Sequence, residues 1–233
     1  MRFDIRKFEQ TTSTNDDARV AGEAGAPAGT VIWAVRQSAG RGRRGRQWES
    51  PEGNLYGSVV LRPAGGRSVY GLYAFVAALA IFETVAGLLP EAKIELKWPN
   101  DVLAGGKKIS GVLLESGGDF LIMGIGINVR HCPENPLYPV TSLAAEMPAA
   151  PPVEDVLNRL LGHIGYWDDI LTREGFAPLR QRWLAHARKG AMRVRLPNEE
   201  IAGEFADLDE NGHLHLLLPD KTTRVITAGD VFF

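Results

Sequence analysis

Residues 40–48 read Gly40-Arg41-Gly42-Arg43-Arg44-Gly45-Arg46-Gln47-Trp48, and residues 97–101 read Lys97-Trp98-Pro99-Asn100-Asp101. The first stretch sets four fixed positive charges on a backbone that three glycines keep nearly bare. Glycine admits positive φ and close backbone approach, so successive N–H groups can turn inward as a nest, while guanidinium groups offer planar, bidentate contacts to carboxylate or phosphate. The run reads as a device for holding an anion. In the second stretch Pro99 biases Trp98 to an extended conformation and Asn100-Asp101 read as a turn at a strand end, so a lysine, an amide and a carboxylate converge.

Working outward, Thr30-Val31-Ile32-Trp33-Ala34-Val35 reads as a buried strand entering the Gly/Arg run and residues 55–61 as the strand leaving it, which pins the run at both ends. Upstream, Ser13-Thr14-Asn15-Asp16 reads as a helix N-cap with Asp16 in the place of a capping-box acid, before a short helix ending near Gly25. A long helix over about residues 69–89 follows, then strands around 94–98, 108–115 and 120–129, separated by Gly105-Gly106 and Gly117-Gly118 turns. After the proline-rich residues 148–152 come helices over roughly 153–173 and 176–187. Beyond Lys189-Gly190 the pattern changes to short strands at 192–196, 200–208, 213–218 and 222–227, with Asn211-Gly212 as a hairpin turn. This predicts an α+β protein: a mixed sheet packed with helices over residues 1–188 and a small β-barrel over residues 189–233.

The chain has 233 residues, 45% of them hydrophobic and 23% charged, enough to bury a sizeable core. A net charge of −2 gives no global basic field, so the arginine cluster is a local device and a nucleic-acid surface is not expected. A single cysteine, Cys132, and a start without a basic-then-apolar leader point to a cytoplasmic protein. The apolar residues 72–89 are broken by Glu83 and Gly87 and read as a buried helix, with no membrane span.

Three further polar segments accompany the two opening stretches: Ser13-Thr14-Asn15, Lys107-Lys108-Ile109-Ser110-Gly111, and Gly124-Ile125-Gly126-Ile127-Asn128. All five, in this order, resemble the signatures of the biotin protein ligases. The likeness covers most of the chain, and it implies a class II synthetase-like biotin/lipoate ligase fold followed by an SH3-like barrel. Some members begin with a winged helix-turn-helix, and this chain reaches Ser13-Thr14-Asn15 almost at once, so the ligase-only form without DNA binding is expected.

The resemblance implies a two-step reaction, in which biotin and MgATP give biotinyl-5'-AMP and the biotinyl group then passes to a lysine of a biotin carboxyl carrier protein. It implies that Arg41, Gly42, Arg43 and Lys108 surround the biotin carboxylate and its adenylate, with Arg43 holding the mixed anhydride. Lys97 would stabilise charge on the α-phosphate. Arg46 and Trp48 would lie toward the nucleotide, and Asn100, Asp101 and Asn128 would bind nucleotide or magnesium, Asp101 being the metal candidate. Ser13, Thr14, Asn15 and Gln37 would hydrogen-bond the ureido ring, with Gly111 beside the rest of biotin. A homodimer is implied as well. The nearest alternative is a lipoate- or octanoate-attaching ligase; a phosphate-backbone-binding regulatory protein is the alternative from another class. No role follows for Arg44.

Overall fold

The computed structural model describes residues 1–133, 136 and 138–233. In chain order the elements are β1 (Asp4–Thr11), α1 (Thr14–Glu23), β2 (Thr30–Gln37), β3 (Leu55–Leu61), α2 (Tyr73–Leu88), β4 (Ile94–Lys97), β5 (Asp101–Ala104), β6 (Lys107–Ser116), β7 (Leu121–Ile127), α3 (Leu143–Glu146), α4 (Val153–Glu174) and α5 (Ala177–Ala185). Then follow β8 (Ala191–Arg195), β9 (Glu200–Leu208), β10 (Leu214–Leu217), β11 (Thr223–Ile226) and β12 (Asp230–Phe232). A seven-stranded mixed sheet has the order β1-β2-β3-β7-β6-β5-β4, and a five-stranded antiparallel sheet, the SH3-like module, has the order β11-β10-β9-β8-β12.

Strand alternation decides which face of the large sheet carries chemistry. Val31, Trp33, Leu55, Val59, Leu61, Leu121, Met123, Ile125 and Ile127 point to one face and form the main core with α2, α4 and α5. The opposite face carries Ile32, Val60 and Ile122, which pack with Ala18 of α1 and Phe120. Further along those strands the same face carries Tyr56, Ser58, Gly124 and Gly126 by register, where Ser58 stands opposite Gly124 and Tyr56 opposite Gly126. The apolar face builds the core; the small and polar face leaves room for a cleft.

Several boundaries differ from the sequence expectation. The long helix divides into a 3-10 segment over Gly66–Leu72 and α2 proper, and the segment opens on Gly66 at φ 60°, a left-handed conformation that glycine adopts readily. Residues 66–88 are long and apolar enough to cross a membrane by length and composition alone, yet α2 buries 11 of its 16 residues inside the protein, against α4 and the sheet. Strand β1 was not anticipated, since Asp4–Thr11 is an exposed edge strand whose apolar residues do not alternate. Strand β5 was not anticipated either. Trp98–Asn100 form the turn, and Asp101 is the first residue of the returning strand, directly opposite Lys97. The short β12 closes the second sheet against β8.

The two sheets meet through specific contacts. The Trp98 indole donates to Gly212 O at 3.0 Å, and the Arg180 guanidinium donates to Leu208 O and Asp207. Gly212 (φ 78) lies so close to the Phe75 ring that a Cβ there would overlap it.

Candidate active site

Glycines on the polar face shape the floor. A side chain at Gly124 would occupy the place of the Asn15 amide, and a Cβ at Gly126 would stand 2.6 Å from the Trp48 ring. A Cβ at Gly111 would stand 3.2 Å from both Trp48 and the Lys108 ammonium. The alternation Gly124-Ile125-Gly126 therefore lets α1 and the Gly/Arg loop descend onto the sheet.

One end of the cleft is lined by hydroxyls and amides: Ser13, Thr14, Asn15 and Gln37. Ser13 is the N-cap residue of α1, but the expected capping box does not form. The Ser13 side chain makes no cap hydrogen bond and lines the cleft, while Asp16 turns outward to Arg41. Gln37 Oε1 accepts from the Thr14 backbone N–H at 2.8 Å, and Gln37 Nε2 donates to Ser50 Oγ at 2.9 Å. Asn15 Nδ2 donates to Glu115 Oε2 at 2.6 Å, and Ser58 Oγ donates to Asn15 Oδ1 at 2.6 Å. These four candidates are thus brought together, and three of them, Thr14, Asn15 and Gln37, are hydrogen-bonded to Ser50, Ser58 or Glu115, which the sequence reading missed.

The Gly/Arg loop is pinched: Gly42 N donates to Arg46 O at 2.7 Å and Trp48 N to Gly40 O at 2.9 Å. Each arginine has a protein acceptor. Arg41 forks onto Asp16 at 2.7 and 2.6 Å, and this hydrogen bonding holds the Asp16 carboxyl below its usual range despite partial burial. Arg43 donates to Asn100 Oδ1 at 3.0 Å and to Gly229 O at 3.3 Å, and burial pulls its guanidinium below the usual arginine range against the attraction of Asp230 and Asp101. Arg44 and Arg46 both reach Asp230, at 3.1 and 3.0 Å. Arg41, expected beside a ligand carboxylate, places both terminal guanidinium nitrogens on Asp16 in the first turn of α1. That pair is half-exposed and worth about 0.2–1 kcal/mol, so an incoming anion can compete for it.

Arg44, without a role in the sequence, acquires one as a clasp to the SH3-like module. Its φ of 56° lies in the left-handed region, which costs a non-glycine residue about 1–2 kcal/mol, and the link to Asp230 works against that cost. Asp230→Asn is expected to loosen the loop: limited proteolysis within residues 40–48 should quicken severalfold without ligand, with little change in the melting temperature. Unchanged cleavage would show that Asp230 does not hold the loop.

Beside the shared loop residues Arg43 and Arg46, in a small recess that Asn100 and Tyr138 also line, Asp101 stands between two ammonium groups. Its Oδ1 lies 2.6 Å from Lys108 Nζ and its Oδ2 3.3 Å from Lys97 Nζ. All three side chains are at most 15% exposed. Burial alone would raise the Asp101 pKa; the two lysines more than offset it and hold the carboxyl below the usual aspartate range. Burial likewise opposes the Lys108 charge, and Asp101 with Tyr138 more than restores it, so its pKa is raised. Lys108 also sits 5.3 Å from the Trp48 ring centroid and 5.2 Å from that of Tyr138.

Two expected nucleotide or metal ligands are otherwise engaged. Both oxygens of Asp101, the expected metal candidate, face ammonium groups, those of Lys108 and Lys97. The Asn100 amide is used at both ends, donating to Val112 O at 2.7 Å and accepting from Arg43, which makes it a post that aims Arg43. Asn128 donates to Thr141 O at 2.9 Å and lines a second cleft. Arg46, Gln47, Trp48, Lys108 and Tyr138 line both clefts, and Asn128 and Val140 lie only on the far side. Arg46 and Trp48 thus stand on a wall between a polar-ended cleft and a second one, and Lys97 flanks it through Asp101.

The family model described as the biotin/lipoate A/B protein ligase family matches residues 7–130, more than half of the chain. The chain belongs to this family. The model of the biotin protein ligase C-terminal domain matches residues 192–233. Among curated relatives, a biotin–[acetyl-CoA-carboxylase] ligase of Paracoccus denitrificans is 38% identical, over 96% of this chain and 98% of that protein. A biotin–[acetyl-CoA-carboxylase] ligase of Mycobacterium tuberculosis is 36% identical over 95% and 86%. Among solved structures, the biotin protein ligase from Aquifex aeolicus in complex with biotin and ATP superposes with a TM-score of 0.87 at 30% identity, covering 98% of this chain and 97% of that one. Both sheets of this biotin/lipoate ligase family member therefore have a counterpart in the solved structure.

Proposed function

We propose that this chain is a biotin protein ligase, which joins biotin to ATP and then passes the biotinyl group to a lysine of a biotin carboxyl carrier domain. The observation that carries the reading is the shared wall: two clefts, one ending in amides and hydroxyls and one in apolar and amide groups, meet at Lys108 and Arg46. Both partners of the first step are anions there. Two unit charges about 4 Å apart repel by about 4 kcal/mol at an effective dielectric of about 20, so the reacting groups need cations between them. Arg43, Arg46, Lys97 and Lys108 supply them on rigid strands and a clasped loop.

In the first step a biotin carboxylate oxygen bonds to the α-phosphorus as the bond from that phosphorus to the bridging oxygen breaks, and pyrophosphate leaves. In the second, the acceptor lysine amine attacks the acyl carbon, AMP leaves with the bonding pair, and the amine loses its proton. Lys97 and Lys108 stabilise charge on the α-phosphate and acyl oxygens, and Arg43, aimed by Asn100, retains the adenylate. The hydroxyl and amide end takes the ureido ring, whose donors and acceptor suit neutral polar partners. Magnesium brought with ATP would offset phosphate charge beside Arg43, Arg46, Lys97 and Lys108, with Asp101 as the candidate carboxylate for holding it. The loop opens to admit the acceptor. Residues 1–188 carry the chemistry and residues 189–233 hold the loop through Asp230; a homodimer belongs to the same proposal.

The experiment is direct. Incubation with biotin, magnesium, ATP and a carrier domain should add one biotinyl group to one lysine, seen by intact mass and peptide mapping. Transfer of lipoate or octanoate in its place would assign the chain to the other branch of the family.

A further inference from the structure

Leaving β7, the backbone turns so that three successive N–H groups, those of Val129, Arg130 and His131, meet one atom: Asn54 Oδ1, at 2.9, 2.9 and 3.0 Å. Convergent N–H groups of this kind make a nest suited to an anion, and here a neutral side chain of the protein fills it. Three donors identify that atom as the amide oxygen, and Nδ2 at the other end donates to His131 O at 2.9 Å. One side chain, 3% exposed, thus holds a whole turn by four hydrogen bonds.

The place of that side chain gives it a consequence for the site. The β3–β7 ladder ends with Leu55 opposite Ile127, and Asn54 and Asn128 are the next residues, outside both strands. From there the two chains go on to line the second cleft, residues 46–49 on the loop side, Asn128 and Pro133 on the other. The loop side is pinned independently: Gln37 N donates to Ser50 O at 3.1 Å, and the Tyr56 hydroxyl donates to Pro51 O at 2.8 Å. Asn128 is anchored as well, with its N–H on Ile109 O at 2.9 Å and its side chain on Thr141 O at 2.9 Å. The turn over residues 129–131 joins that anchored residue to Pro133. Where the ladder stops, the Asn54 side chain takes its place.

We infer that Asn54 is a positioning residue for the second cleft, setting how far the turn after β7 stands from the exit of the Gly/Arg loop and so the width of the nucleotide site. The inference rests on the ligase reading, which gives this cleft to ATP, and adds to it a residue that lines neither cleft. Removing the side chain leaves three N–H groups of the turn without their acceptor, and they turn outward to water, taking the cleft wall with them. The first cleft, pinned through Ser50 and Gln37, keeps its shape. The effect therefore falls on one substrate and spares the other.

The test measures the two substrates separately on the full chain: KM for ATP from pyrophosphate release at saturating biotin, and biotin affinity by calorimetry without ATP. Asn54→Ala should raise KM for ATP about tenfold, with biotin affinity and kcat at saturating ATP within about twofold of wild type. Asn54→Asp keeps an oxygen for the three N–H groups and should recover most of that loss. Asn54→Ser, with a shorter reach, should lie between the two and carries the comparison if the alanine variant does not fold. Tyr73→Phe removes a hydroxyl that donates to Asp168 Oδ1 at 2.9 Å between α2 and α4, and should lower the melting temperature with both substrates unaffected. Wild type that releases no pyrophosphate with biotin and ATP would overturn the ligase reading and this inference with it. If wild type is active, the inference alone is overturned by variants of Asn54 that keep the wild-type KM for ATP, by equal losses for biotin and ATP, by an Asn54→Asp enzyme no better than the alanine or serine variant, or by a KM for ATP that rises as far in Tyr73→Phe.

Discussion

Asp101→Asn is expected to cost about 3–5 kcal/mol of folding stability and to abolish adenylation, because it leaves two buried ammonium groups facing each other without a counter-ion. Asparagine keeps the shape and loses the charge, and its amide nitrogen would point a donor at one of the lysines. Against a total stability of about 5–15 kcal/mol this is a large fraction, and denaturant unfolding will show it as a lower midpoint. The pH dependence gives a second reading. The Asp101 pKa is depressed in the folded state, so its contribution is fully present above the unfolded aspartate value near about 4 and is lost as pH falls through the folded value. The Lys108 pKa is raised, so its contribution is fully present below the unfolded lysine value near about 10.4 and is lost as pH rises through the folded value. The stability difference between wild type and Asp101→Asn should therefore be flat between those limits and shrink only in acid or strong alkali. A difference that varied across neutral pH would mean that another group carries the effect.

Arg43→Gly should speed loss of the adenylate about ten- to a hundredfold. Arg43 has two protein acceptors, Asn100 Oδ1 on the β4–β5 turn and Gly229 O beside β12, and the guanidinium spans the gap between the two sheets. Glycine removes the tie that keeps the loop down and, in the proposed mechanism, a charge-assisted contact to the anhydride worth about 1.5–3 kcal/mol. In the proposed mechanism adenylate formation rests more on Lys97 and Lys108, which the substitution leaves in place on β4 and β6. The expected signature is continued pyrophosphate release with free biotinyl-5'-AMP in solution and biotin on bystander lysines. Rapid quench and filtration will separate bound from free adenylate; retention equal to wild type would remove Arg43 from that role. Lys97→Ala should show the converse, slow formation with normal retention.

The motifs on strands and turns were legible in the sequence. Lys97 ends one strand and Lys108 opens another, Thr14 and Asn15 open a helix, and Lys108, Thr14 and Asn15 line the first cleft while Lys97 lines the small recess beside it. What escaped was the set of partners. Asp230 sits in a three-residue strand at the far end of the chain, and no local pattern ties it to Arg44 and Arg46. Glu115 and Ser58 did carry a signal, since each is a polar residue on the cleft face of a strand whose other face is apolar. The pairing of Ser58 with Asn15, and of Glu115 with the same amide, is a matter of sheet register, which a single sequence does not specify. The capping box failed for a related reason: Asp16 was claimed by Arg41, 25 positions away, over the local bond to Ser13. Long-range charge outweighed a local rule, and it did so at the site.

The most direct measurement is a single-turnover assay with ATP labelled at the α-phosphate, biotin and magnesium, without acceptor. The account predicts one equivalent of pyrophosphate per site and a matching amount of biotinyl-5'-AMP bound non-covalently and released by denaturation, which a carrier domain then consumes. Absence of adenylate, or label covalently fixed to the protein itself, would contradict it.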